Sequence, residues 1–175
     1  MPHNFKHKNI RLPPEQYRGQ KSYFVTACFD RRRPYGTRPP VARWLIERLA
    51  EHAAVEAFLI HAYSVMPDHL HFLAEGVNKD SDLLDFVTSF KKETGFQYEE
   101  REKQRLWQIK FYDHILRSGA DMQAVCWYIW MNPVRAGICR APAEHAFSGS
   151  FTEWGASLLK SAPVAGWTPP WKTFS

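Results

Sequence analysis

The chain has 175 residues, enough for one hydrophobic core, and a single domain is the simplest reading of that length. Its formal charge of +5 and pI near 9.2 come from local clusters, Lys6 to Arg11, Arg31-Arg32-Arg33 and Lys91-Lys92, which favour polyanions and nucleic acid first among them. No stretch approaches the roughly 18 apolar residues of a membrane span, the basic N-terminus lacks a signal peptide's apolar region, and three cysteines without a CxxC pair give no zinc-ribbon spacing, so a cytoplasmic protein with reduced, mostly buried thiols is expected.

Residues 1–20 are polar, basic and proline-bearing, which predicts an arm rather than a core element. Residues 23–29, aromatic and β-branched, predict a strand that ends at Arg31-Arg32-Arg33-Pro34-Tyr35-Gly36. Over 41–55, Trp44, Leu45, Leu49 and Ala53 recur at helical spacing. Two β-favouring runs follow, 58–65 and 69–75, and the Met66-Pro67-Asp68 connection between them is short enough for a hairpin. Ser81 or Asp82 can cap a second helix with Leu84, Phe86, Val87 and Phe90 inside and Lys91, Lys92, Glu93 and Glu99 to Glu102 exposed. Residues 107–116 then read as a last strand. A helix is expected from Asp121 through Ala124, Val125, Tyr128 and Ile129, with Asn132-Pro133 ending or bending it. After Gly137, Gly, Ser, Pro and isolated Trp residues predict a tail.

The order strand, helix, strand, strand, helix, strand, helix points to an α+β fold, a ferredoxin-like (split βαβ) antiparallel sheet with its helices on one face. The expected division is a basic arm at 1–20, a central domain at 21–140 and a C-terminal tail at 141–175.

His69-Leu70-His71 carries the chemistry. Strand side chains alternate faces, so both imidazoles project to one side while Leu70 and Phe72 face the core, a geometry suited to one metal ion. Two imidazoles leave a divalent ion short of ligands. Asn132 is the best further donor, because it lies four residues after Tyr128 and shares a helix face with that phenol. If that face lies over the histidines, a metal that polarises a phosphoryl oxygen would let the tyrosine attack phosphorus. Each residue also has an ordinary reading: histidines that are merely structural, Tyr128 as a packing aromatic, Asn-Pro as a helix terminator. The seven Trp, seven Tyr and twelve Phe are core residues or platforms for unstacked bases.

Three motifs in order, Met66-Pro67-Asp68-His69-Leu70-His71, Phe111-Tyr112-Asp113-His114-Ile115-Leu116-Arg117 and Tyr128-Ile129-Trp130-Met131-Asn132-Pro133-Val134-Arg135-Ala136-Gly137, resemble the single-tyrosine HUH transposases of the IS200/IS605 type, especially the REP-associated tyrosine transposases. The resemblance covers about residues 20 to 140. It implies His69 and His71 as metal ligands, Asn132 at the place of the third ligand, Tyr128 as nucleophile, and Mg²⁺ or Mn²⁺ as cofactor. It also implies a substrate of single-stranded DNA with imperfect palindromes or hairpins, cut to leave a 5′-phosphotyrosine. Relatives of this kind act as monomers or homodimers, and a bacterial, nucleoid-associated setting follows. Arg31, Arg32, Arg33, Lys91, Lys92, Arg117 and Arg135 are candidate DNA contacts, or simply solvated surface. A histidine-triad hydrolase is disfavoured, since Leu73 stands where its third histidine would be. The rival reading is a domesticated relative that binds structured nucleic acid without cutting it.

Overall fold

The computed structural model describes residues 11–163 and 166–169. Five strands, β1 (Ser22–Cys28), β2 (Phe58–Val65), β3 (His69–Gly76), β4 (Tyr112–Leu116) and β5 (Ser148–Gly149), form one sheet in the order β4-β1-β3-β2-β5. Every neighbouring pair is antiparallel. Four α-helices accompany it: α1 (Pro39–Val55), α2 (Leu83–Glu102), α3 (Gly119–Arg135) and α4 (Glu153–Lys160). β3 lies between β1 and β2, so the β1-α1-β2 crossover is split as the sequence predicts.

The helices, however, occupy both faces of the sheet rather than one. Tyr23, Val25 and Ala27 of β1, with Leu70, Phe72 and Ala74 of β3, pack beneath Leu45 and Leu49 of α1 and Phe86, Val87 and Phe90 of α2. On the opposite face Leu73 of β3, Ala62 of β2 and Phe24 of β1 meet Val125, Cys126, Ile129 and Trp130 of α3 and Leu158 and Leu159 of α4. The cause lies in β3, whose residues Leu70 to Ala74 are all buried. A strand apolar on consecutive positions needs cover on both sides.

Helix ends follow local chemistry. Asp82 caps α2, its carboxylate accepting from the Leu84 and Asp85 amides, while Ser118 rather than Asp121 caps α3. α3 runs through Pro133 to Arg135, and the amides of Ala136, Gly137 and Ile138 satisfy carbonyls of its last turn. Between α2 and β4 the chain does not continue as strand: Trp107 turns into the core, bridging to Phe29. Lys91, expected on the exposed side of α2, is part-buried and donates from Nζ to the carbonyls of Gln108, Ile109 and Lys110 at 2.8, 3.0 and 3.1 Å.

The described parts of both predicted appendages join the fold. Tyr17 is 1% exposed and stacks on Tyr23, and Arg18 pairs with Asp82 at 2.8 Å, so the end of the supposed arm 1–20 is packed. In the supposed tail 141–175, β5 pairs with β2 and α4 packs on α3, capped by Thr152. Trp130 Nε1 donates to the Gly149 carbonyl at 3.0 Å, tying the two together. The basic residues before Arg11, and residues 164–165 and 170–175 of the tail, lie outside the described residues. Cys28 and Cys126 are buried and Cys139 is half-buried, all three as free thiols.

Candidate active site on the α3 face of the sheet

Antiparallel pairing sets His71 opposite Thr26 of β1 and Ser64 of β2. Directly opposed residues share a face. His71 therefore points toward α3, and Thr26 Oγ1 lies 2.8 Å from its Nδ1. His69, two residues earlier, has Asp68 Oδ1 2.5 Å from its Nδ1, and Arg32 donates to the other oxygen of that carboxylate at 3.0 Å. With each Nδ1 engaged by an oxygen, both Nε2 atoms turn inward, 2.9 Å apart. An Nδ1–H directed at oxygen leaves the Nε2 lone pair available, the arrangement common to metal-bound histidine.

Nitrogens this close share a proton or a cation. Two nitrogens each about 2.1 Å from one ion and at right angles to it stand about 3.0 Å apart, so this donor pair fits a divalent metal. Burial pushes the pKa of both rings below the ordinary imidazole value, His71 the further because His69, Arg135 and Arg32 act in the same direction, whereas at His69 the Asp68 carboxylate opposes the shift. Neutral rings are the form a metal needs. Although burial alone would raise the Asp68 carboxyl, His69 and Arg32 hold it below its usual range. Among the described residues no third His, Cys, Asp or Glu completes a metal-binding group.

α3 brings the phenol to the same face. The Tyr128 ring centroid is 6.2 Å from that of His71, and Phe24 lies against both, at 5.2 Å from His71 and 5.7 Å from Tyr128. Arg135 reaches back along the helix: its guanidinium carbon lies 4.5 Å above the Tyr128 ring, and Nη2 donates to the Tyr128 carbonyl at 3.0 Å. Burial lowers the Arg135 pKa, and Tyr128 opposes that shift. Asn132 stands one turn beyond Tyr128, with Nδ2 buried and without a partner among the described residues. Amide nitrogen and oxygen are exchangeable by a flip, so the same position can present the carbonyl oxygen, a metal donor. Tyr112 pairs with Thr26 from β4 and so lies in the same cross-strand row, with Thr26 between it and His71.

The basic candidates separate. Arg32 supports Asp68 and Arg135 overlies Tyr128, so both belong to the site. Arg33 bonds Tyr35 and Gln104, Lys91 holds the 108–110 carbonyls, and Arg31 stands 3.9 Å from Asp30. Lys92 and Arg117 are exposed. Sequence reasoning assigned no role to Thr26, Phe24 or Asp68. Asp68 had a signal, since a carboxylate next to a histidine is a common orienting partner. Thr26 and Phe24 had none until the strand pairing was known.

A solved tyrosine transposase shares this fold: the structure described as the REP-associated tyrosine transposase bound to a REP hairpin matches with a TM-score of 0.70 and 21% identity, over 91% of this chain and 90% of that one. The chain belongs to the IS200-like transposase family, whose model matches residues 19–132. A protein of Haemophilus influenzae provisionally named a REP-associated tyrosine transposase is 25% identical over 143 residues, 75% of this chain and 80% of its own length. The REP-associated tyrosine transposase of Escherichia coli is 27% identical over 106 residues, 58% of this chain and 62% of the relative.

Proposed function

We propose that this transposase is a metal-dependent single-stranded DNA endonuclease and strand transferase that cuts hairpin-bearing DNA through a 5′-phosphotyrosine at Tyr128. One observation carries the reading: a histidine pair with Nε2 atoms 2.9 Å apart and a tyrosine ring 6.2 Å from the nearer imidazole, all within one chain. His69, His71 and Asn132 would hold Mg²⁺ or Mn²⁺, which when bound polarises a phosphoryl oxygen and neutralises charge developing at phosphorus. Tyr128 Oη forms a bond to phosphorus as the bond from phosphorus to the 3′-oxygen breaks. The phenolic proton is given up and the departing oxygen leaves as a 3′-hydroxyl. Arg135, over the phenol ring, offers positive charge to the phosphate under attack. The stored phosphotyrosine can then be attacked by another 3′-hydroxyl, rejoining strands without hydrolysis.

The hairpin is inferred from the solved relative, which is bound to one. Association with the bacterial nucleoid in the cytoplasm accords with such a substrate, and among the described residues no helix is long and apolar enough to cross a membrane. The presence of His69, His71 and Tyr128 at one face speaks against a relative that only binds.

The test is a denaturation-resistant adduct. Purified protein, Mn²⁺ or Mg²⁺ and hairpin-bearing strands taken from the DNA flanking the gene should yield one, and Tyr128→Phe should abolish it. An adduct that survives this substitution, or maps to Tyr112, overturns the assignment. Tight hairpin binding with no adduct on any flanking sequence favours the non-cleaving alternative.

A further inference from the structure

α2, on the sheet face opposite α3, and the 103–111 segment enclose a groove of about 470 Å³. Small-ligand sites have volumes of about 300–1,000 Å³. Four cations line it, Arg11, Lys91, Lys92 and Arg105, against one carboxylate, Glu99. The three donors of Lys91 fix the loop to α2 through its carbonyls, and burial, with Arg11 and Arg105 nearby, pushes that amine down to about 8. Arg11 lies 4.3 Å over the Phe111 ring. Two further lining residues, Phe96 and Ile109, are 66% and 79% exposed.

An exposed aromatic ring among cations has the composition of a surface for unpaired nucleic acid, where cations track the phosphates and the ring takes a base face. A duplex keeps its base faces stacked and offers Phe96 nothing. Position favours the same occupant. The Gln108 amide donates to the Cys28 carbonyl at 2.9 Å, the Asp30 amide donates to the Leu106 carbonyl at 2.8 Å, and Cys28 faces His69 across the β1–β3 pair. Two strand spacings of about 4.8 Å put this loop backbone roughly 10 Å from the histidine strand. The groove thus starts at the same end of the sheet as the candidate active site.

We propose that the groove between α2 and the 103–111 segment binds the unpaired DNA strand leading away from the scissile phosphate, one base stacking on Phe96 and the phosphates meeting Lys92 and Arg105. This rests on the strand-cleaving reading above and adds where the unpaired flank runs.

Fluorescence anisotropy of the full chain in metal-free buffer, with a short oligothymidine, a blunt hairpin closed by a non-nucleotide linker and the same hairpin with an unpaired extension, tests it. Phe96→Ala should weaken binding of the oligothymidine and the extended hairpin about tenfold while leaving the blunt hairpin unchanged. Lys92→Ala with Arg105→Ala should flatten the salt dependence of oligothymidine binding by about 1.4 in log–log slope. All three side chains are exposed, so an unchanged melting temperature shows that the fold is intact. Unaltered affinity for both unpaired probes, or an equal loss on the blunt hairpin, overturns the proposal. Adduct formation at Tyr128 is scored separately. An adduct with groove variants that bind normally sinks the groove alone, whereas Phe96-dependent strand binding without any adduct sinks the cleavage reading and leaves the groove standing.

Discussion

At the scale of single residues the site depends on groups that hold others in place. Thr26 holds one ring nitrogen of His71 and Asp68, itself held by Arg32, holds one of His69. Loss of such a partner commonly costs 10- to 100-fold in metal affinity, roughly the effect expected for Thr26→Val on Mn²⁺ binding followed by electron paramagnetic resonance. Thr26→Ser, which keeps the hydroxyl, should restore it, and a matching loss in both variants would reject the role. Arg135→Gln should slow adduct formation by about tenfold or more without weakening Mn²⁺ binding, because the guanidinium lies over the phenol and its charge opposes a cation at His71. The histidine pair was legible from strand alternation alone. Tyr128 was not: on its own it is one aromatic among several on an apolar helix, and only the three-motif resemblance singled it out. Thr26 was invisible because its role exists only once β1 and β3 are in register.

Among the elements, α4 is held by a close approach. A Cβ added at Gly155 would stand 2.2 Å from the His61 carbonyl oxygen, backbone that cannot swing away. Gly155→Ala should therefore lift α4 from β2 and cost about 1–3 kcal/mol, the usual range for overpacking, measured by urea unfolding. Stability equal to that of the parent would show that α4 adjusts without loss. The sequence hid this region for a physical reason. β5 has two residues and α4 has eight, too short for periodicity to register, and both are stabilised by burial against α3 and β2 rather than by their own propensity. The hairpin and first helix, with long apolar patterns, were placed within a residue or two. The second face of the sheet was missed because Phe24 and Leu73 read as core whichever side they serve.

For the molecule as a whole, one chain supplies both halves of the site. Mixing Tyr128→Phe with His69→Ala/His71→Ala protein should therefore give no adduct, whereas recovery would mean that tyrosine and histidines meet across a dimer. Acid should destabilise the metal-free protein in a defined direction. Burial keeps His69, His71 and His145 below the ordinary imidazole value, so below about pH 6.5 the unfolded chain binds more protons than the folded one. The stabilising contribution is complete above that pH and is lost as pH falls through the lower folded values. The melting temperature should drop between pH 7 and 5, and an unchanged value would contradict buried neutral rings. The docking of β5 and α4 onto α3 also has a consequence in time. Synthesis at about 5–20 residues per second separates Arg135 from Lys160 by roughly one to five seconds. His69, His71 and Tyr128 thus all leave the ribosome before the segment against which α3 packs, so every side chain of the candidate site is synthesised ahead of the frame that holds its helix.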